Sequence, residues 1–448
     1  MNYMERKFFA FVLPLLFASA LSLSAQDSPA ALTLTVDQAV DYALAHNRSV
    51  ASARYDLIAS DKSFLEAVSA GLPSVSGSAG LNDNLKLMTT LLPGEIIGMP
   101  GEKVPVTFGS KYNTSFGVTA STAIINVPWI IGMKTAKLAT DLSAKGLEQT
   151  EADTRESVLT VYYLILVSQE TLKVIEANLG NLNDILASTR AMFSVGMAEA
   201  TDVDQMQSTV STLINTKASM ERALSVNYNL MRFMLGVGRD TEVNLTQPLE
   251  NILAEVNVEN LLAQDFTIED NISYKLIEGQ VRMSELSLSG AKASVLPSLA
   301  GSIYYNKSGM GDELNDLQWF PSSVLGFQIS VPIFDSGERY ARISKAKINL
   351  EKAHNTKAMV TDQLLMQEKE LRFNLQSAWE QYRLQRENID LAARVLKSFE
   401  NKYNQGMASS LDLTQANNNY LTAQNNYLSA VMNLLQTRVA FDKLMNKL

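Results

Sequence analysis

Apolar positions recur every three or four residues along most of this chain. They do so at Leu172, Ile175, Leu179, Leu182, Leu186, Thr189 and Phe193, and again at Leu375, Ala378, Tyr382, Gln385, Ile389, Ala392, Leu396, Phe399 and Tyr403. This is the step of a heptad seam. Each seam runs into the same short stretch. Residues 193–205 read FSVGMAEATDVDQ and residues 403–415 read YNQGMASSLDLTQ. Gly196, Met197, Ala198, Asp202 and Gln205 return, each displaced by 406 − 196 = 210 positions, as Gly406, Met407, Ala408, Asp412 and Gln415. A register held that strictly is an internal repeat. The heptads then resume, at Val203, Met206, Val210 and Leu213 and at Leu413, Ala416, Tyr420 and Ala423. The pattern predicts two long antiparallel helical hairpins. Each turns at its glycine, where the chain passes through φ > 0, and each places a carboxylate in the first turn of the returning helix.

Elsewhere the period falls to two. After Pro73, Val75, Gly77, Ala79 and Leu81 alternate with Ser76, Ser78, Gly80 and Asn82. Tyr112, Thr114, Phe116, Val118, Ala120 and Ile124 alternate with Asn113, Ser115, Gly117, Thr119 and Ser121. The second half answers with Leu299, Ile303 and Tyr305 against Ser298, Ala300 and Ser302, and with Leu325, Phe327, Ile329, Val331 and Ile333 against Gly326, Gln328 and Ser330. Runs of about ten residues, apolar on one side and small or polar on the other, are the signature of membrane β-strands. Asn47 and Pro73 recur as Asn271 and Pro297 at an offset of 224, which shrinks to 209 by Gly117 and Gly326. The loop of the first half is therefore 224 − 209 = 15 residues longer. It is rich in glycine and proline and reads as an exposed loop at the far side of the membrane. A helix covers residues 34–70, with Asp37 in its first turn. No proline interrupts the chain from Trp129 to Phe193, so a helix of roughly 60 residues and about 90 Å is expected there.

Composition adds an address. Arg6 and Lys7 precede an apolar run from Phe8 to Ala18, a secretory signal peptide over residues 1–25 with cleavage near Ala20 or Ala25. The remaining organisation is a first repeat over 34–235, an equatorial segment over 236–266 and a second repeat over 267–448. The net charge of −9 gives no footprint for nucleic acid. There are no cysteines, which excludes disulfides and a lipidated cysteine. His46 and His354 are the only histidines and stand far apart, so no metal site is expected. With no phosphate loop, nucleophile elbow or zinc-protease motif, the sequence offers no enzyme and calls for no cofactor.

Four membrane strands cannot close a barrel, and open edges are costly in lipid, so strands must come from other copies of the chain. Helix, LPS-type strand, strand, long helix, turn and return helix, given twice behind a signal peptide, resembles the TolC-like outer membrane efflux family. LTVDQAVDYALAHN, GLPSV, VLPSL, SVPIFDSGERYARISKAK and YNQGMASSLDLTQAN carry the resemblance. It implies a mainly α fold with membrane β-strands, a homotrimer whose twelve-stranded barrel continues as an α-helical barrel, and a place in outer-membrane lipid of a Gram-negative bacterium. It also implies a periplasmic adaptor and an inner-membrane transporter as partners. Under that resemblance Asp202 and Asp412, with Gln205 and Gln415, line the periplasmic entrance. The alternative for both aspartates is a purely local one, favouring a helix N-terminus. The family pattern has a second aspartate where this chain has Gln415, and a basic residue where it has Ala408. Gly196, Met197, Gly406 and Met407 form the tips that meet the adaptor. Trp129, Trp319 and Phe320 are read as membrane-interface aromatics, with core packing as the alternative. An exported structural coiled-coil scaffold or adhesin without a pore is the competing class, and the four alternating strands argue against it.

Overall fold

The computed structural model describes residues 31–93, 98, 101 and 103–448. The signal peptide read over 1–25 and the crown of the first long loop lie outside the described residues.

The predicted first helix is two helices. α1 (Val36–His46) ends and α2 (Arg48–Ser69) begins at Asn47, which is extended at φ −63° and ψ 133°. The Asn47 carboxamide oxygen accepts from the Ser49 N–H at 2.8 Å, and its Nδ2 donates to the Met234 carbonyl at 2.8 Å. Asn271 does the same work in the second half. It caps α7 (Ile272–Ala293) and donates to the Leu444 carbonyl at 3.0 Å. The matched asparagines therefore pin the start of each upper helix to the end of a lower one, α4 (Ala200–Leu235) and α9 (Ser410–Leu444). Between upper and lower halves run two helices of 68 and 67 residues, α3 (Val127–Ser194) and α8 (Glu338–Asn404). At 1.5 Å per residue each is about 100 Å long.

The membrane strands form one antiparallel sheet in the order β2 (Ser74–Asp83), β5 (Tyr112–Ile125), β7 (Ser298–Gly311), β8 (Gln318–Ser330). β2 and β8 are its edges and pair with nothing beyond it among the described residues. Val331 and Ile333 fall outside β8, since the strand stops at Ser330 and the chain then turns through positive φ at Ser336 and Gly337. The long loop is not featureless. β3 (Met88–Pro93) and β4 (Lys103–Phe108) make an antiparallel hairpin of their own within it, which the sequence reading did not specify. One further strand escaped the pattern because it is three residues long: β1 (Leu32–Leu34) pairs in parallel with β6 (Val243–Leu245). β6 opens the equatorial segment, followed by α5 (Leu249–Ala254) and α6 (Val258–Leu262).

The main core sits at this equator, where α1, α3, α4, α8, α9 and β6 converge on Tyr162, Ile165, Met231, Leu235, Leu434, Leu435 and Phe441. The Tyr162 hydroxyl donates to the Leu34 carbonyl at 3.1 Å, so the polar tip of this fully buried side chain is satisfied. By length and composition alone α3 would qualify to cross a membrane, but more than half of its apolar window is buried in the protein. Towards the tips, among the described residues, two small clusters remain, one around Leu182 and Met206 and one around Leu396 and Leu413. Among the described residues no apolar side chain of the sheet is buried. Leu325, Phe327 and Ile329 of β8 and Val75 and Leu81 of β2 are exposed.

Candidate functional site

Both hairpin turns are built identically. Gly196 and Gly406 lie in the left-handed region at φ 75° and 73°. At the first turn the Gly196 N–H donates to the Phe193 carbonyl at 3.0 Å and the Met197 N–H to Met192 at 2.8 Å. At the second, Gly406 donates to Tyr403 at 2.9 Å and Met407 to Lys402 at 2.8 Å. These paired backward bonds close a helix at a left-handed glycine. They leave Met197 and Met407 exposed at the extreme tip, beside exposed Val195 and Leu411.

The returning helices start on capping boxes. The Ser409 hydroxyl accepts from the Asp412 N–H at 3.1 Å, while the Asp412 carboxylate accepts from the Ser409 N–H at 3.1 Å and its hydroxyl at 2.7 Å. Asp202 likewise accepts from the Glu199 N–H at 3.0 Å. Each carboxylate thereby fills two roles expected of the third helical residue, satisfying a free donor and facing the positive end of the helix. Asp202 has one partner more. Its second oxygen accepts from the Ser410 hydroxyl of α9, across the gap between the two hairpins. That hydroxyl, and then the Glu199 amide, hold the Asp202 carboxyl below the usual carboxylate range. Ser409 does the same for Asp412, first through its hydroxyl and then through its amide. Gln415 is exposed and donates to the Asn419 side chain at 2.9 Å, on its own helix. Gln205 is half-buried beside Asp202.

Two more polar contacts join the hairpins higher up. Thr189 and Tyr403 share a hydrogen bond of 2.6 Å. Asn178 Nδ2 donates to Asn417 Oδ1 at 2.7 Å, with both residues only 4% exposed. The other polar atom of each amide, Asn178 Oδ1 and Asn417 Nδ2, has no protein partner among the described residues. Sequence reasoning missed Thr189 as a polar contact, and Ser410, Asn178 and Asn417 altogether. The two asparagines each stand one position off a heptad stripe, next to Leu179 and Ala416, and that placement between seams was the available signal.

The aromatics divide. Trp129 is half-buried at the start of α3, packed on Gly71, with Nε1 donating to the Ala67 carbonyl at 2.8 Å. It fastens the end of α2 to α3. Trp319 stacks on Phe116 at 5.7 Å, with the Lys307 ammonium 5.4 Å from its ring centre. Phe320 is the next residue of the same strand and so points to the opposite face. It cannot share a girdle with Trp319. Among the described residues no cluster of histidine and carboxylate side chains has a metal-binding arrangement. His46 stacks on Tyr42 at 4.1 Å instead.

Comparison with known proteins bears on the whole arrangement. The probable efflux pump outer membrane protein TtgC of Pseudomonas putida KT2440 is 24% identical over 322 residues, which is 70% of this chain and 65% of that protein. The chain thus spans just under two thirds of the length of such curated relatives. Among solved structures, the outer membrane protein VceC of Vibrio cholerae superposes with a TM-score of 0.72 at 13% identity, covering 92% of this chain and 96% of its own. The open-state MtrE outer membrane channel of Neisseria gonorrhoeae gives 0.74 at 14% identity, covering 92% of this chain and 88% of its own. At such identities the likeness is one of fold. The family model described as outer membrane efflux protein matches residues 39–237 and 280–447, which take in the four strands of the sheet and all four long helices, and the chain belongs to that family.

Proposed function

We propose that this chain is the passive outer-membrane duct of an efflux or type I secretion assembly, closed from three copies. The observation that carries the reading is the four-stranded sheet, apolar on its outer side and open at both edges, continuous with helices of 68 and 67 residues. Unpaired strand edges in hydrocarbon leave each amide and carbonyl unsatisfied at a cost of several kcal/mol per group. Strands from further copies remove those edges, and three copies give twelve strands, within the range of membrane barrels. The helices then extend the bore far into the periplasm. The division into two repeats, 34–235 and 267–448, around an equatorial segment over 236–266 supplies each copy with two hairpins.

In this reading the exposed methionines beside Gly196 and Gly406 meet a periplasmic adaptor, which links the duct to an inner-membrane transporter. Asp202 and Asp412, with Gln205 and Gln415 a turn further along, stand at the entrance. The transporter supplies the driving force, and the duct performs no catalysis.

The test is planar-bilayer conductance of the detergent-purified protein, with particle mass determined on the same sample. Channels from a particle of three chains are expected, and conductance changes in Asp202→Ala/Asp412→Ala. A monomeric particle that does not conduct overturns the duct and leaves an exported coiled-coil scaffold in its place.

A further inference from the structure

The two halves of the chain supply a template for a contact the single chain does not make. Inside one copy the hairpins meet mainly where α3 lies on α9, with a smaller contact of α4 on α9, and the outer sides of α4 and α8 are left as the two lateral faces. The offset of 210 carries α3 onto α8 and α9 onto α4. At four positions it holds in burial as well as in sequence. Thr154, Ile165, Ser168 and Leu186 are buried on α3, and Leu364, Leu375, Ala378 and Leu396 are buried at the shifted positions on α8. A ring that alternates the hairpins must therefore seat α8 of one copy on α4 of the next much as α3 sits on α9.

We propose that this second seam joins named residues of adjacent copies, and that it replaces an ionic contact of the inner seam with an apolar one. In the inner seam Lys443 of α9 reaches Glu156 of α3 at 2.6 Å. The shifted positions are Phe233 on α4 and Met366 on α8, which are 71% and 66% exposed in the single chain. A large aromatic and a methionine, both uncovered at the places where the template puts them together, cover each other on assembly. The inner amide pair, Asn178 with Asn417, shifts to Asn388 on α8 and Gln207 on α4. Carboxamides stand at both positions again.

The sheet gives the same answer. Val118 of β5 lies opposite Tyr305 of β7. Shifted by 209 and 224, that pair becomes Phe327 of β8 opposite Leu81 of β2 in the next copy. Both are exposed, and both belong to the apolar face of their strand. The register thus brings apolar face to apolar face without a one-residue slip. The inference rests on the trimeric duct proposed above.

The chain has no cysteine, so disulfide trapping is clean. Phe233→Cys/Met366→Cys and Gln207→Cys/Asn388→Cys place each pair on opposite lateral faces of one copy, and any bond they form joins two chains. Asn178→Cys/Asn417→Cys serves as the intrachain control. After oxidation both interchain pairs are expected to run as a covalent species of three chains on a denaturing gel, while each single cysteine variant stays at one. A three-chain native mass with no interchain bond from either pair, while the control pair closes, overturns the template and leaves the duct standing. A native mass of one chain overturns both.

Discussion

Alanine at Gly406 and alanine at Gly236 should differ in effect by about two powers of ten, although the two glycines share a backbone conformation. Their φ values are 73° and 71°. A side chain in the left-handed region costs about 1 kcal/mol relative to glycine, and that cost is common to both. The surroundings are not. At Gly406 no heavy atom of the described residues lies within 4 Å of where the Cβ would sit. At Gly236 the new Cβ would stand 2.3 Å from the His46 carbonyl oxygen and 3.0 Å from its carbon. Those are backbone atoms at the junction of α1 and α2, next to the Asn47 side chain that holds the Met234 carbonyl. They can yield only by moving that junction. Overpacking of this kind costs about 2 kcal/mol, and losing the asparagine bond adds about 1 kcal/mol. Gly406→Ala should therefore speed amide exchange around residues 400–410 roughly fivefold, and Gly236→Ala should speed exchange around residues 44–50 and 230–237 by roughly several hundredfold. Hydrogen exchange read by mass spectrometry on the purified particle separates the two sites. Equal effects would refute the argument, because they would mean that φ alone decides and that the close approach at the junction relaxes freely.

Asn417→Leu should destabilise the α3–α9 seam by about 2 kcal/mol, since it strands the buried Asn178 amide, whereas Asn178→Leu/Asn417→Leu should be near neutral; exchange in residues 172–185 reports both, and additive losses would contradict the pairing. Gly71→Ala puts a Cβ 2.1 Å from the Trp129 ring and should expel the indole, costing about 3 kcal/mol and shifting tryptophan emission to the red, while Trp129→Phe should cost about 1 kcal/mol through the lost bond to Ala67. The pH dependence of the tips follows from the two aspartates. Because both carboxyls are held below the ordinary value of 3.8, their contribution is fully present above that value and is lost as pH falls through the lower folded-state value. Tip protection should thus be flat from neutral pH down to about 4 and decline below it. Ser410→Ala, which removes the first cause of the low Asp202 value, should make that decline smaller without moving its onset, and a decline of unchanged size would contradict the contact with Asp202.

The long elements were legible in the sequence because each is encoded many times over. Heptad positions held in register along a whole helix leave little freedom, and the repeat of Asn47 at Asn271 and of Gly196 at Gly406 marks where helices must break. What the asparagines do could not be read, since the carbonyl each one binds comes from a helix end 187 or 173 residues away. The β3–β4 hairpin was hidden for a local reason. Leu91 and Leu92 are adjacent, so β3 does not alternate, and Pro105 interrupts β4, although Val104, Val106 and Phe108 alternate there with Lys103, Pro105 and Thr107; only the pairing defines the hairpin. The tip carboxylates were legible as helix starters. That one of them also reaches the other hairpin depends on Ser410, 208 positions later.

The two repeats share a fold, but the seam within the chain and the one proposed between copies are not equivalent, and the sequence departs from its own repeat at that point. Within one chain the hairpins are held by Thr189 with Tyr403 and by Asp202 with Ser410. At the shifted positions stand Phe399, Phe193 and Ala200, with Asp412 as the only member able to make a polar contact. A seam made within one chain closes as that chain folds, so buried hydroxyl and carboxylate contacts there find their partners without a second molecule. A seam made between copies must first be carried, uncovered, by each copy alone. Aromatic and methyl groups tolerate that exposure, and on contact they gain stability from area removed from water rather than from polar atoms that all have to be paired at once. A heptad pattern specifies only that an apolar stripe is present. The choice between latched and greased seams lies in the few positions where the second copy of the pattern disagrees with the first.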